Sequence, residues 1–335
     1  MKKRVCFLLA CVFAAALLCG CGHSPKGKVQ ELEELKGRVV YSIGKGNVPD
    51  LVFRYLLKTA GVSYRYSDEA KEGTVSLAYV SEGTEIVGGL AAGKINYGVL
   101  GEPAATTALK KVQGTERMLD LQQLYNKVTD TAGGYPQAVL AVKTKFLQDH
   151  PGYVAQFVAS LQENAKWAET NTQEAVAAIK GVYEQTSVAS LTQESAKGCN
   201  IAFTSAQDAK AELLAFFRAL DSVKEEGETP IGNGLPDDAF FADAPQGESE
   251  QNVTVNVYAP DGAPAVGLSK PIADGFAGAT FHIVPPADIG GYVLKGTADL
   301  AILPSNAAAN LYGKGAGIQV LGVINHGNLF MVGKV

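Results

Sequence analysis

Two segments far apart in this chain read so much alike that they constrain its fold more than any other feature. Residues 88–105 read GGLAAGKINYGVLGEPAA, and residues 290–308 read GGYVLKGTADLAILPSNAA. Each reads as a helix that ends at a glycine, a polar residue, a short apolar strand, and a polar loop that begins another helix. In an open α/β sheet, ligands bind at such strand-to-helix junctions. The pair therefore predicts two similar lobes whose ligand loops face each other; a chance likeness in sequence rich in alanine and glycine is the alternative.

The repeated segments belong to two runs of alternating strand and helix patterns. Residues 35–131 form the first run, and residues 253–335 form the second, which ends with a return crossing. Alternation at this spacing predicts parallel strands joined by crossover helices. We therefore predict an α/β protein with two lobes, each a mixed, mostly parallel sheet flanked by helices.

The segment between the two runs has a different pattern. Residues 132–245 begin with a glycine-containing break and a strand pattern, which we interpret as a crossing between the lobes. Helical patterns then follow at 151–170, 173–183, 188–196 and 206–220. We expect these helices to pack on the other lobe, and residues 246–252 to be a linker.

The N-terminal residues read as a targeting segment. Residues 1–21 combine a basic start, an apolar run at 5–18 and an end in small residues, which is typical of a signal peptide. The final LCGC resembles a bacterial lipobox, so we predict that Cys21 is lipidated and anchors the protein outside the cytoplasm. Residues 22–34 would then be a tether. An ordinary signal peptide cleaved nearby is the alternative.

Composition and charge limit the class of protein. The chain has 335 residues, 47% of them hydrophobic and 19% charged, which indicates a globular protein long enough for two domains. Without the predicted signal peptide, 26 basic side chains face 34 acidic ones, and this balance argues against nucleic-acid binding. Only Cys199 would remain besides Cys21, so we expect no disulfide and interpret Cys199 as a buried, apolar residue.

Five segments carry a resemblance to a known family, and they extend over most of the chain after the signal peptide. They are LKGRVVYSIGKGNVP at 35–49, LGEPAAT at 100–106, GCNI at 198–201, LPDDAFF at 235–241 and AILPSNA at 301–307. Together they resemble the periplasmic-binding-type substrate-binding lipoproteins of ABC importers, in the branch that handles nitrate, sulfonates, taurine and thiamine-type pyrimidines. The resemblance implies a type II two-lobed fold, a small-molecule ligand between the lobes, permease and ATPase partners, no cofactor and a monomer.

The order of the lobes departs from the family pattern. In the family, the lobe that resembles residues 253–335 comes first, and the part that resembles residues 35–241 follows it. We therefore predict a circular permutation, which requires that the old termini lie close together, so that Val335 lies near Leu35. A fragment that pairs with a separate lobe is the alternative.

In the first run, the candidate ligand-binding residues are Gly44, Lys45, Gly46, Asn47 and Glu102. Glycines allow close backbone approach, and amides at a helix start can hold an anion. A carboxylate such as that of Glu102 favours an amine or a protonated ring instead. A tight turn at 44–47, and a helix-dipole role for Glu102, are the purely structural alternatives.

In the second run, the candidate ligand-binding residues are Asp261, Gly262, Ala263, Ser305 and Asn306. Ser305 and Asn306 follow the strand of the repeated segment and face the predicted cleft, but either could instead cap the next helix. Asp261 and Gly262 could equally form an ordinary turn.

The predicted crossings between lobes contribute Tyr135 and His326. Aromatic groups at such positions can stack on a planar ligand or wedge the lobes apart. The pair Asp237 and Asp238 we interpret as the start of a helix rather than as a metal site.

No catalytic motif is present in the sequence: there is no GxSxG elbow, no HExxH and no Walker loop. We therefore predict a binding protein and not an enzyme. One alternative is a small-molecule lyase or dehydratase on the same fold, with Glu102 as its acid or base. The other is a sensor ectodomain that does not take part in transport.

Overall fold

The computed structural model of the protein describes residues 29–334. The predicted signal peptide, the Cys21 lipidation site and Val335 lie outside the described residues. Among the helices of residues 29–334, none is both long enough and apolar enough to cross a membrane.

The strands of the described residues form two separate sheets. In chain order the strands are β1 (Val39–Ile43), β2 (Tyr64–Tyr66), β3 (Val75–Val80), β4 (Tyr97–Gly101), β5 (Thr115–Asp120), β6 (Pro136–Lys143), β7 (Ile201–Ser205), β8 (Val255–Pro260), β9 (Ala279–Val284), β10 (Leu300–Pro304), β11 (Ile318–His326) and β12 (Leu329–Lys334). One sheet has the order β2-β3-β1-β4-β12-β5 and defines lobe A. The other has the order β7-β11-β6-β10-β8-β9 and defines lobe B. The predicted two-lobed α/β fold with mixed sheets is confirmed, but the sheet of lobe B is not mostly parallel, because three of its five strand pairings are antiparallel.

Helices cover the faces of both sheets. The α-helices are α1 (Val48–Ala60), α2 (Gly83–Ala91), α3 (Ala104–Lys111), α4 (Leu121–Thr129), α5 (Thr144–Asp149), α6 (Pro151–Thr170), α7 (Thr172–Val182), α8 (Gln193–Gly198), α9 (Ala206–Asp221), α10 (Ala263–Val266), α11 (Ser269–Ala273), α12 (Ile289–Leu294) and α13 (Ser305–Gly313). Short 3₁₀ helices lie at Gln30–Leu35, Ser187–Ser190 and Asp238–Phe240.

The two lobes exchange one strand each. In lobe A, β3, β1 and β4 are parallel, and β12 lies antiparallel between β4 and β5 although it follows lobe B in the chain. In lobe B, β9, β8 and β10 are parallel, and β6 lies antiparallel between β10 and β11 although it follows lobe A. The chain therefore crosses between lobes twice, and the parallel strands of each lobe end on one common edge of its sheet.

The repeated segments occupy equivalent places in the two lobes. Gly93 and Gly296, which follow the equivalent helices α2 and α12, both have φ of 68°, a left-handed conformation that favours glycine. A lysine at the end of each exchanged strand donates its backbone N–H, at 2.9 Å, to the carbonyl of the polar residue that follows: Lys334 to Asn96, and Lys143 to Asp299. The likeness of the two segments in sequence is thus a likeness in structure.

One hydrophobic core runs through both lobes. It extends from α1 and α4 of lobe A, through Phe216 and Phe217 of α9, to α13 of lobe B. Both phenylalanines are fully buried, and burying a side chain of this size contributes roughly 1.5–3 kcal/mol. Helix α9 therefore joins the lobes by packing, in addition to the two crossings of the chain.

The structure corrects several predicted helix boundaries. The helical pattern predicted at 188–196 is a 3₁₀ turn at Ser187–Ser190 followed by α8, because Thr192 begins a new helix with a capping box to Ser195. In the second run, the segment after β8 forms two short helices, α10 and α11. Gly267 caps α10 at this break and packs against Ile324.

The predicted tether at 22–34 is also longer than the structure allows. Val29 is buried, and the 3₁₀ helix Gln30–Leu35 buries Leu32 and Leu35 in the core beside α1. Residues 29–34 therefore belong to lobe A, because their apolar side chains gain more from burial than from a solvated linker.

Candidate functional site

The loops at the ends of the parallel strands meet the opposite lobe. The Asn306 side chain, at the start of α13, donates to the backbone carbonyl of Gly46 in lobe A at 3.2 Å. On the other side of β4, the Thr107 hydroxyl lies 2.5 Å from that of Ser190, which belongs to the helical segment packed on lobe B. The structure thus brings the predicted loop at 44–47 and Asn306 into direct contact.

The loop between β1 and α1 is a tight turn whose polar groups are already engaged. Gly44 and Gly46 have φ of 61° and 81°, so glycine suits both positions. The Gly46 N–H donates to the Asp50 carboxylate at 2.8 Å. Lys45 lies 3.4 Å from Glu228 and 3.8 Å above the ring of Tyr66. The Gly46 amide is therefore already used within the turn, and the Lys45 ammonium already faces a carboxylate and an aromatic ring.

Asn47 occupies the N-cap position of α1, as its residue type suggests, but its side chain makes no capping hydrogen bond there. Its backbone N–H instead donates to the Gly44 carbonyl at 3.2 Å, which closes the turn.

Glu102 is a buried carboxylate with protein partners on every side. It forms an ion pair with Arg117, and it accepts hydrogen bonds from the backbone N–H of Thr106 at 3.1 Å and from the Thr106 hydroxyl at 2.9 Å. A Cβ added at Gly198 would lie 2.9 Å from the Glu102 side chain, so the helical segment packs directly on it. Arg117 had no signal in the sequence, because the β5 strand that carries it was not predicted.

Asp261 ties the loop after β8 to the 3₁₀ turn at Ser187–Ser190. Its carboxylate accepts from the Thr186 hydroxyl at 2.5 Å and from the Ser187 N–H at 2.8 Å. Gly262 has φ of 104°, which only glycine adopts readily, and Ala263 is buried at the start of α10. The charge of Asp261 is therefore used to hold a neighbouring turn in place.

Ser305 and Asn306 do not cap α13 with their side chains. The Ser305 hydroxyl is fully buried and has no hydrogen-bond partner among residues 29–334. Asn306 instead donates to Gly46 and to the carbonyl of Pro230 at 3.2 Å, so it links three parts of the chain. The local capping role expected as an alternative is absent.

Tyr135 fills the space between the lobes at the first crossing. Its side chain is completely buried, its ring stacks on Phe216 with centroids 5.5 Å apart, and Gly327 of the second crossing packs against its edge. Burial raises the pKa of its phenol well above the ordinary value. This geometry matches the wedge that was one of the two roles considered for Tyr135.

His326 opens onto a cavity of about 400 Å³, which we name the hinge cavity. Its other lining residues are Gln122, Gly133, Glu169, Lys197, Asn200, Ile201, Ala202, Thr204 and Glu212. They come from α4 of lobe A, from the two crossings, and from α6, α8, β7 and α9. The cavity therefore lies between the lobes, and its volume falls in the range of small-molecule sites, roughly 300–1,000 Å³.

The hinge cavity is polar and carries both signs of charge. The His326 imidazole lies 3.4 Å from the Glu212 carboxylate. Asn200, which has φ of 49°, donates to the Gly327 carbonyl at 2.6 Å and so fixes this wall to the crossing. Lys197 and Glu169 make no ion pair within residues 29–334. Nor does that range hold a cluster of His, Cys, Asp and Glu suited to a metal ion.

Sequence reasoning found one residue of this cavity, His326, and missed the others. Glu169, Lys197 and Glu212 lie on three separate helices that the crossing brings together only in the folded chain. The GCNI segment at 198–201 was the one available signal, since it contains Asn200.

Comparisons with known proteins found one family model and several solved structures to which this chain is similar. The model of the NMT1-like family matches residues 25–182. An ABC transporter structure from Parabacteroides distasonis is 24% identical, with a TM-score of 0.46 over 62% of this chain and 67% of that one. The periplasmic aliphatic sulphonate binding protein of Escherichia coli is 12% identical, with a TM-score of 0.34 over 88% of this chain and 64% of that one.

A third similar structure is the binding protein component of a Pseudomonas aeruginosa ABC phosphonate transporter, 10% identical, with a TM-score of 0.37 over 89% of this chain and 69% of that one. The chain thus spans about two thirds of each of these three solved chains. No curated protein sequence matches it. The family model thus matches residues 25–182, which is just under half of the chain, and the described residues form two mixed sheets flanked by helices.

Proposed function

We propose that this protein is an extracytoplasmic solute-binding protein that captures a small molecule between its lobes and delivers it to the permease and ATPase of an ABC importer. The observation that carries the proposal is the hinge cavity, which is lined from lobe A, from both crossings and from the helices on lobe B. A ligand held in such a place stabilises one arrangement of the lobes, and a permease can recognise that arrangement.

The proposal includes a membrane anchor and a monomeric state. A lipid on Cys21 would hold the lobes near the permease, and the tether would begin at the same residue. These parts rest on the sequence alone, through the lipobox and the resemblance to substrate-binding lipoproteins.

The proposal also includes a circular permutation of the family order. Val40 of β1 and Gly333 of β12 pair with Tyr97 from its two sides. They are therefore about two strand spacings, roughly 10 Å, apart. Such a distance supports a family order in which β12 leads directly into β1 through a short connection.

Enzymatic activity is the weaker alternative. Glu102, the one carboxylate considered as an acid or base, is neutralised by Arg117 and bonded by Thr106. It is therefore better suited to holding the end of β4 than to exchanging protons with a substrate.

The test is a thermal-shift screen of the mature protein against four classes of small solute: oxyanions, amines, zwitterions and neutral polar compounds. Capture of a solute predicts a saturable rise in melting temperature, since a ligand at one hundred times its Kd stabilises by about 2.7 kcal/mol. Each hit is then incubated with protein and followed by mass spectrometry. Turnover would establish an enzyme, and no shift with any class would contradict solute capture.

A further inference from the structure

The charged groups of the loops that face the other lobe are already paired within the protein. Glu102 is bound by Arg117, Asp261 by Thr186 and Ser187, and Lys45 by Glu228. A charged ligand placed against these loops would have to compete with these contacts, and Glu102, which is buried, would lose its counter-charge at a high cost. This arrangement favours charge recognition in another part of the space between the lobes.

The hinge cavity has charged side chains that make no ion pair within residues 29–334, those of Glu169 and Lys197. It presents two carboxylates, Glu169 and Glu212, against one ammonium, Lys197. His326 lies 3.4 Å from Oε2 of Glu212, whose side chain is 37% exposed and therefore still accessible from the cavity. The carboxylates of the lining outnumber its ammonium groups by two to one.

We infer that the solute bound in the hinge cavity carries a positively charged amine, held by Glu169 and Glu212, and this inference rests on the proposed function. An ammonium donates three hydrogen bonds, and carboxylates accept them in short, charge-assisted contacts. Lys197 would receive the carboxylate of a zwitterion. A bare oxyanion would meet one lysine and two repelling carboxylates in the same space.

The experiment uses isothermal titration of the mature protein with putrescine, β-alanine, nitrate and methanesulfonate, together with any hit from the four-class screen. We expect amine-bearing compounds to bind and the two oxyanions to bind at least tenfold more weakly. Glu169→Gln and Glu212→Gln should each weaken amine binding about tenfold, the equivalent of one charge-assisted hydrogen bond. Lys197→Met should weaken the binding of β-alanine and strengthen that of putrescine, because Lys197 attracts a carboxylate and repels an ammonium group.

Glu174→Gln is the matched control, because Glu174 is exposed on α7 and does not line the cavity. Melting temperatures of all variants show whether they fold. If Glu212→Gln is less stable because it loses the His326 contact, Glu169→Gln alone tests the role of the carboxylates in amine binding.

The outcomes separate this inference from the proposed function. Preferential binding of oxyanions or neutral compounds, or unchanged amine affinity in both glutamine variants, would overturn the inference while solute capture stands. If no compound of any class binds, solute capture itself is wrong, and the inference falls with it.

Discussion

At the scale of single residues, Arg54 is the clearest example of a charge that the fold has buried with its partners. Its side chain is completely buried in α1, 3.2 Å from the Asp50 carboxylate and 2.9 Å from that of Glu228. It also donates to the Tyr66 hydroxyl at 2.9 Å. Because its partners come from α1, β2 and a loop far along the chain, Arg54 fixes tertiary structure as well as neutralising charge.

Replacing Arg54 with methionine should destabilise the protein by about 3 kcal/mol, because removing one partner leaves Asp50 without its counter-charge in a buried site. Urea unfolding of the mature protein measures the change. The control is Arg65→Met, since Arg65 is only partly buried and bonds to serine hydroxyls and a carbonyl. Equal effects of the two substitutions would show that the burial of Arg54 has no special role.

Some residue roles were predictable from sequence and others were not. Cys199 is buried and free, as an isolated cysteine without metal-ligand neighbours predicts. The residue type of Glu102 drew attention to it, but its partner Arg117 could not be found. Glu102 and Arg117 are 15 positions apart in the sequence. They form an ion pair because β12 enters the sheet beside β5, and this is a property of the whole fold.

At the scale of elements, residues 222–232 form a strap between the lobes. The Val223 carbonyl accepts from Arg54 of α1 in lobe A at 3.2 Å, and the Thr229 carbonyl accepts from Asn310 of α13 in lobe B at 2.7 Å. Glu228 lies between these two contacts and pairs with both Arg54 and Lys45. Glu228 is therefore the residue of the strap that forms ion pairs with two side chains of lobe A.

The pH dependence of stability should report this attachment. Partial burial of Glu228 alone would raise its pKa, but the hydrogen bond from Arg54, with Lys45 nearby, lowers the pKa below the ordinary 4.5. A lowered pKa in the fold means that the stabilisation is complete above the unfolded-state pKa and is lost as pH falls through the lower folded-state value.

Glu228→Gln should therefore be less stable than the parent at pH 7, and the difference should shrink as pH falls below about 4.5. Urea unfolding of both proteins between pH 3 and pH 7 gives the comparison. The control is Glu226→Gln, because Glu226 is exposed and makes no ion pair within residues 29–334. A stability difference that stays constant over this range would mean that Glu228 does not act through its charge.

The elements that sequence predicted best were those with local signals. The repeated helix–glycine–strand segments were correctly placed, because a left-handed glycine and a short apolar strand are both local properties. The helices of the middle segment were placed less well. The interruption at Leu191 depends on packing against other elements, which periodicity does not reveal.

At the scale of the whole molecule, the two lobes are joined by other contacts besides the two crossings of the chain. They share the hydrophobic core around α9, the strap, and the contact of Asn306 with Gly46. Sequence predicted two lobes and a ligand between them, but it placed the ligand at the strand-end loops. The structure instead leaves space beside the crossings, because the helical segment at 186–198 packs against Glu102 and Asp261.

The central claim is that the hinge cavity holds the solute, and filling the cavity tests it most directly. Ala202 is exposed and lines the cavity, so Ala202→Trp should occupy the space without disturbing the core. Ala273→Trp, on the exposed side of α11, is the control. Isothermal titration with the best-binding solute should show that Ala202→Trp loses affinity at least tenfold while its melting temperature and the affinity of the control are kept. Unchanged affinity in Ala202→Trp would contradict the account.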